Sequence, residues 1–432
     1  MLYLISLILY VIAVTRYIIK SSPRKLVNPN TWIVIIYSFL LIVHFTFDVK
    51  FNAGNKYSAL PYFSVCLFAL IWGVSNGYKK TTKNKSYRSY AIFNIRRVAY
   101  LSFFASLVLI VDIIRNNNIL LIGARIEDFE ISLIGVLANF FAGLGLIPWL
   151  AQLYLFLLKN KSLPLFSFLS LFAFVAYDIV TGGRQTLFAA IISTIVMVAW
   201  CIKVRKQSIC VQKIKIPKGI YVAAILFSSY FLVVSSIRTI VQDTDERISS
   251  LEYVFSATIG DETKDLIPKL GPLSSIYTEF GMYYSHELNR LDILLDYYNE
   301  PVYFIPFEMS FITRRIPFLS EIGNKQWKKQ EQIFGSRVDF FSHTWSTFLG
   351  NFYVDYGFFG SIFMCFISGL LMGRFRRRFE NTNEAILLVR LCVLMGGIFI
   401  SIEFSPLSQL PWVVCMFFSS FFNLKDEQGC IL

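Results

Sequence analysis

The chain has little of what soluble metalloenzymes and nucleotide-binding enzymes need. Only three histidines occur in 432 residues, and CxxC, HExxH, GxGxxG and P-loop motifs are all lacking. These absences disfavour zinc, redox and nucleotide sites, so we predict no metal and no cofactor. None of the seven cysteines falls in residues 238–350, so this long segment has no disulfide to staple it.

What the sequence has instead is long hydrophobic runs, which raise the hydrophobic share to 55%. A run of about 18 apolar residues crosses a bilayer as a helix, and continuous rather than alternating runs favour helices over barrel strands. The first run has no basic start and no small-residue cleavage site, so we expect it to be a retained helix. We therefore predict an all-α polytopic membrane protein with about 11 transmembrane helices: 1–19, 31–47, 59–76, 98–114, 132–157, 162–180, 185–202, 219–237, 351–373, 385–402 and 408–423.

The charged residues that give the net charge of +13 are distributed unequally between the two predicted sides of the membrane. Every second connection, together with the C-terminal tail, is basic, and these stretches hold 23 Lys and Arg against 4 Asp and Glu. Residues 238–350 hold 16 acids and 11 bases. The positive-inside rule places the basic side in the cytoplasm, the N-terminus outside and the C-terminus inside. This pattern explains the basic excess without nucleic acid.

The topology predicts three parts. Residues 1–237 carry helices one to eight, residues 238–350 form one large external loop with interfacial helices, and residues 351–432 carry helices nine to eleven with a cytoplasmic tail. The external loop is the only part long enough to build a site.

Arginines are concentrated on the predicted external face. Arg184 follows two glycines in a tight turn, Arg238 ends a span, and Arg314 and Arg315 lie in the loop. A guanidinium group binds phosphate oxygens through two parallel hydrogen bonds, so these four arginines are candidate ligands of a diphosphate. Arg184 also has a plainer interpretation as an arginine anchored at the headgroups, and Arg314 and Arg315 have one as a solvated basic pair.

Asp355 lies just inside the ninth span, where a carboxylate is costly without a partner or a watered cavity. Asp355, His343 and Glu279 are therefore candidate general bases, and the residues alone do not choose among them. Tyr353 and Tyr356 flank Asp355 and are candidate contacts to a sugar or to the acceptor, although tyrosines also form interfacial belts in membrane proteins.

Several of these stretches together resemble the Wzy-type O-antigen polymerases, which join oligosaccharide repeat units. The resemblance rests on "VTGGRQTLF" after a span, "SSIRT" at the end of a later span, the large external loop, and "TWSTFLGNFYVDYGFFGSIFMCFISGLLMG". It covers the helix count, the loop position and roughly the last 250 residues. Arg184, Arg238 and the Tyr353–Gly357 element carry it.

The resemblance implies a metal-independent glycosyltransferase with a GT-C-like fold. Its substrate would be an undecaprenyl-diphosphate-linked oligosaccharide at the outer face of the bacterial cytoplasmic membrane, where the growing chain moves onto the next unit. Membrane lipid, a chain-length regulator and a flippase are candidate partners.

Two other functions remain open. An O-antigen ligase would use the same arginines on a different acceptor. A transporter of the lipid-linked unit would need charge along a central path, whereas the charged residues here lie at span ends, which favours a site at one face.

Overall fold

Long apolar helices make up most of the structure. The computed structural model describes residues 2–52, 59–79, 91–117, 132–181, 185–207, 244–299, 347–382, 384–402 and 410–425, with a few single residues between 301 and 333. Within these ranges, seven helical stretches are long and apolar enough to cross a membrane, one of them Leu133–Lys159 with a turn inside it, and three shorter helices are also apolar. The all-α polytopic fold is confirmed, and the chain is a multi-pass membrane protein.

The elements follow one another in the order in which the sequence predicts the spans. Proline at the first turn begins α2 and α3, where its missing N–H costs nothing. The N-terminal half contains α1 (Leu2–Lys20), α2 (Pro23–Leu26), α3 (Pro29–Thr46), β1 (Val49–Phe51), α4 (Ala59–Lys79), β2 (Ala91–Asn94), α5 (Ile95–Asn117), α6 (Leu133–Gly143), α7 (Leu146–Lys159), α8 (Leu165–Thr181) and α9 (Gln185–Gln207). The C-terminal half contains α10 (Thr244–Phe255), β3 (Ala257–Ile259), α11 (Asp261–Leu266), a 3-10 helix (Pro268–Leu273), α12 (Ser274–Tyr297), α13 (Thr347–Thr382), α14 (Ala385–Ile400), α15 (Leu410–Phe421) and β4 (Phe422–Lys425).

Ten of the predicted spans coincide with apolar helices. The predicted span 132–157 is interrupted by a turn at Leu144 and Gly145, so it consists of α6 and α7. The predicted span 219–237 lies outside the described residues. The likeness to the GT-C class stays a prediction, as do the three-part division and its boundaries.

Two short strand pairs join connections between helices, one pair at each end of the bundle. β1 pairs antiparallel with β3, and β2 pairs parallel with β4. The charge pattern assigns β1 and β3 to the outside, and β2 and β4 to the cytoplasm. The structure therefore agrees with the predicted sorting of these connections into two sides, and it leaves open which side faces out.

Helices α4 and α13 run side by side in the same direction through matching glycine pairs. Gly73 and Gly77 on α4 face Gly369 and Gly373 on α13. A Cβ atom on any of the four would come within 2.0–2.2 Å of a carbonyl oxygen of the other helix. This spacing of small residues lets two backbones approach closely without a lipid-filled gap. The N-terminal ends of the two helices therefore lie at the same end of the bundle.

The opposite end of this helix pair is joined by polar contacts. Tyr78 donates to Glu380 over 2.7 Å, and Arg376 donates from Nε to the same carboxylate over 2.9 Å. The Arg376 guanidinium also stacks 4.4 Å from the centre of the Tyr78 ring. The α4–α13 pair is thus held along its whole length.

Candidate active site

Asp355 lies on the first part of α13, and its side chain is 0% exposed. Two residues later Gly357 adopts φ 68° and ψ −174°, a conformation open almost only to glycine, and α13 bends there. Ser361 donates to the carbonyl oxygen of Gly357 below the bend. The bend separates residues 347–356 from the long spanning part of the helix, and buried Asp355 lies in the separated part.

The start of α13 is fixed by three hydrogen bonds. Thr347 donates its N–H to Glu287 Oε2 (2.7 Å), Phe348 donates to the carbonyl of Ser401 (3.1 Å), and Leu349 donates to Thr347 Oγ1 (3.2 Å). These satisfy N–H groups that a helix cannot pair internally. Thr347 itself has φ 58°, which costs a β-branched residue about 1–3 kcal/mol and persists only when its surroundings hold it.

Helix α12 carries a cluster of buried polar side chains, one of which, Glu287, bonds the start of α13. Each of the following side chains is at most 5% exposed: Ser285, His286, Glu287, Asn289, Arg290 and Asp292. Buried polar groups are costly without partners, so a cluster of this kind is built around specific contacts. It is the largest concentration of buried charge among the described residues of α10 to α13.

Burial dominates the protonation behaviour on α12. Burial lowers the pKa of Arg290 to about 10, and the nearby Glu287 carboxylate acts in the opposite direction. Arg290 therefore remains charged at neutral pH. Burial, followed by the charge of Arg290, lowers the pKa of His286 to about 3, so His286 is neutral at neutral pH. It donates from Nδ1 to the Met282 carbonyl (3.1 Å) and packs on Phe255 with ring centroids 4.5 Å apart.

Contacts from α12 reach the ends of three other helices. Asp292 Oδ1 accepts from the N–H of Ala59, the first residue of α4 (2.8 Å). His44, in the last turn of α3, donates from Nδ1 to the Ser285 carbonyl (2.8 Å). With the Glu287–Thr347 bond, these contacts bring α3, α4, α12 and the start of α13 together at one end of the helix bundle. A carboxylate at a helix N-terminus satisfies free N–H groups and stabilises the helix dipole.

The two predicted aromatic contacts beside Asp355 are half-buried. The Tyr353 hydroxyl donates to the carbonyl of Tyr298 (3.0 Å), and its ring lies edge-on to Tyr62 at 5.7 Å. Tyr62 in turn donates to the carbonyl of Leu349 (3.1 Å). Tyr356 packs against Phe352. The Tyr353 hydroxyl is thus bonded within the protein, and the role of Tyr353 and Tyr356 toward a sugar stays a prediction.

Of the six other predicted site residues, the structure describes one, Glu279. Arg184, Arg238, Arg314, Arg315 and His343 lie outside the described residues. Glu279 lies on α12 eight residues before Glu287, about 12 Å along the helix axis.

Asp178 lies near the end of α8, and its side chain is buried. Its carboxylate accepts the N–H groups of Thr186 (2.7 Å) and Leu187 (3.3 Å). It therefore ties the end of α8 to the start of α9 and fixes both sides of the turn that carries Arg184.

Sequence reasoning missed Glu287, Arg290 and Asp292. The available signal was the stretch "SHELNRLD", with Glu287 and Arg290 three residues apart on one helical face. Such a pair is usually solvated, and its burial arises from the packing of α12 against other elements, among them α3, α4 and α13.

Comparison with known families bears on this same region. Residues 330–418 match the O-antigen polymerase family. The family is described as "Putative O-antigen polymerase", and the matched segment spans α13, α14 and most of α15, including Asp355 and Gly357. Comparisons with curated proteins and with solved structures give no significant match.

The match confirms the resemblance inferred from the sequence. It covers the Tyr353–Gly357 element, which carried part of that resemblance. It indicates a glycosyltransferase-like membrane enzyme. Within the described residues, no group of three His, Cys, Asp or Glu side chains is arranged to hold a metal ion. Metal-independent catalysis stays a prediction.

Proposed function

We propose that this protein is an oligosaccharide repeat unit polymerase of the cytoplasmic membrane. It joins undecaprenyl-diphosphate-linked repeat units into O-antigen, capsule or exopolysaccharide on the outer face, with its N-terminus outside and its C-terminus in the cytoplasm. The observation that carries the proposal is the coincidence of the family match with the buried Asp355 segment at one end of the helix bundle.

The reaction moves the growing chain from its lipid to the next unit. The acceptor sugar hydroxyl attacks the anomeric carbon of the donor, a new glycosidic C–O bond forms, and the bond to undecaprenyl diphosphate breaks. The diphosphate leaves with the electron pair of that bond, and the hydroxyl proton passes to a base. The donor arrives already activated, so the chain needs no nucleotide motif.

Two kinds of group serve this chemistry. Asp355 is the proposed base, acting within about 3 Å of the hydroxyl or through one water, and His343 and Glu279 are the alternatives. Arg184, Arg238, Arg314 and Arg315 are proposed to stabilise the negative charge that develops on the diphosphate, which needs donors held in place before the reaction. Tyr353 and Tyr356 are proposed to line the path of the acceptor.

The distribution of buried charge supports a site at one face. Glu287, Arg290 and Asp292 are buried at the end of the bundle that the charge pattern assigns to the exterior, and buried Asp355 lies about two turns into α13 from that end. A transporter would instead need charged groups along a path through the bundle. The lipid-linked oligosaccharide, a flippase and a chain-length regulator are the proposed partners.

A deletion strain tests the proposal. Loss of the gene should leave single repeat units on the surface glycan and abolish the gel ladder of longer chains, while the intact gene should restore the ladder. Loss of even the single unit would favour a flippase or a ligase, and an unchanged ladder would contradict a polymerase.

A further inference from the structure

Glu287 links the external helix α12 to the start of the segment that carries Asp355. Its Oε2 atom accepts the N–H of Thr347, and both residues are 0% exposed. Of the three bonds that hold the first turn of α13, this is the one that α12 supplies through a charged side chain. Thr347 is also the residue with φ 58°, so the bond holds the chain at its least favourable backbone position.

The position of Thr347 determines that of Asp355. Asp355 follows Thr347 by eight positions on one continuous helical stretch, a rise of about 12 Å, and a slip by one residue would turn every side chain by about 100°. The same stretch is held at its other end, since Tyr353 donates to the Tyr298 carbonyl and Val354 belongs to one buried cluster with Ile293 and Leu294 of α12. Helix α12 therefore contacts this stretch at both ends and sets its rotation.

We propose that Glu287 is a positioning residue for the polymerisation reaction. By accepting the Thr347 N–H, it sets the rotation and height of residues 347–356 and so the place of the Asp355 carboxylate. The inference rests on the proposed function and goes beyond it by assigning a role to a residue that does not itself touch substrate.

A rival role for Glu287 is the charge that it presents to Arg290. The two roles make opposite demands on the side chain. Positioning needs an acceptor oxygen at the distance of the Glu287 carboxylate. Glu287→Gln keeps that oxygen in place, whereas Glu287→Asp shortens the side chain by one methylene. A charge role needs the negative charge, which Glu287→Asp keeps and Glu287→Gln removes.

The experiment uses the full-length protein in proteoliposomes and the lipid-linked repeat unit extracted from the deletion strain. Glu287→Gln should polymerise at close to the wild-type rate. Glu287→Asp and Glu287→Met should lower kcat by about 10- to 100-fold, the scale of an approximately 1 Å displacement, with KM nearly unchanged. Folded protein is quantified by size-exclusion chromatography so that rates are expressed per folded molecule.

Glu252 provides a matched control in the same external segment. Its carboxylate also accepts a backbone N–H, from Ile259 (2.7 Å), and contacts Lys264, but these bonds stabilise β3 and not α13. Glu252→Gln and Glu252→Asp should both leave kcat unchanged.

The outcomes separate the inference from the proposed function. Normal kcat in Glu287→Asp, or a lower kcat in Glu287→Gln than in Glu287→Asp, would overturn the positioning role while the enzyme remained a polymerase. Losses that only track the amount of folded protein would overturn it equally. If the wild-type protein made no chain longer than one unit, the proposed function would fail first and this inference with it.

Discussion

Replacing Gly357 by alanine should damage both the fold of α13 and polymerisation. The residue has φ 68° and ψ −174°, a region that L-amino acids other than glycine rarely occupy. Forcing a Cβ into that conformation costs about 1–3 kcal/mol, which corresponds to a factor of roughly 5–150 in the population of the bent helix. The helix would avoid this cost by straightening, which would rotate Asp355 away from its buried place.

Two readouts check this prediction. The apparent unfolding temperature of the purified variant in detergent should fall, and the glycan ladder in the deletion strain should shorten or vanish even where the protein level is normal. Leu371→Ala is the matched control, because Leu371 is an exposed apolar residue on the same helix, below the bend. A Gly357→Ala protein with an unchanged unfolding temperature and a full ladder would refute the requirement for the bend.

Three further predictions concern topology, the leaving group and pH. In a background without native cysteines, Ser250→Cys should react with an impermeant thiol reagent in spheroplasts and Thr382→Cys should not; the reverse result would overturn the orientation. Arg184→Lys and Arg238→Lys should each lower polymerisation strongly at normal abundance, because lysine keeps the charge but loses the two-pronged contact. Full activity in both Arg184→Lys and Arg184→Ala would reduce that turn to a structural hinge. Folding lowers the pKa of His286 from 6.5 to about 3, because the buried ring is held neutral. The free energy of unfolding therefore keeps its full value above pH 6.5 and decreases as the pH falls toward 3. Thermal unfolding from pH 7 to 5 should show this loss, and His286→Leu should flatten it; an equally steep profile in the variant would refute the assignment.

The spanning helices were predictable because hydrophobicity and length alone decide them. Ten predicted spans match helices, and the sorting of the connections by charge agrees with the pairing of β1 with β3 and of β2 with β4. The break inside 132–157 was not predicted, since Leu144 and Gly145 interrupt an otherwise unbroken apolar run. The glycine contacts between α4 and α13 were also missed, because GxxxG spacing does not say which helix will pack against it.

The candidate site was only partly predictable. Asp355 was found because a carboxylate inside an apolar span is conspicuous. Glu287 and Asp292 were not found, because acidic residues in a polar helix look solvated until packing buries them against the ends of α4 and α13. The bend at Gly357 was not predicted either, because a glycine in an apolar span does not reveal whether its φ is positive.

The central claim is that this protein polymerises repeat units with Asp355 as the base. The most direct test is Asp355→Asn in the deletion strain, since asparagine keeps the shape of the side chain and loses the proton acceptor. A positioned general base contributes about 10² to 10⁴ in rate, so the variant, at normal abundance, should accumulate single repeat units with no ladder above them. Single units on the final acceptor would show that flipping and ligation still work. A normal ladder would contradict the claim and return the search for the base to His343 or Glu279.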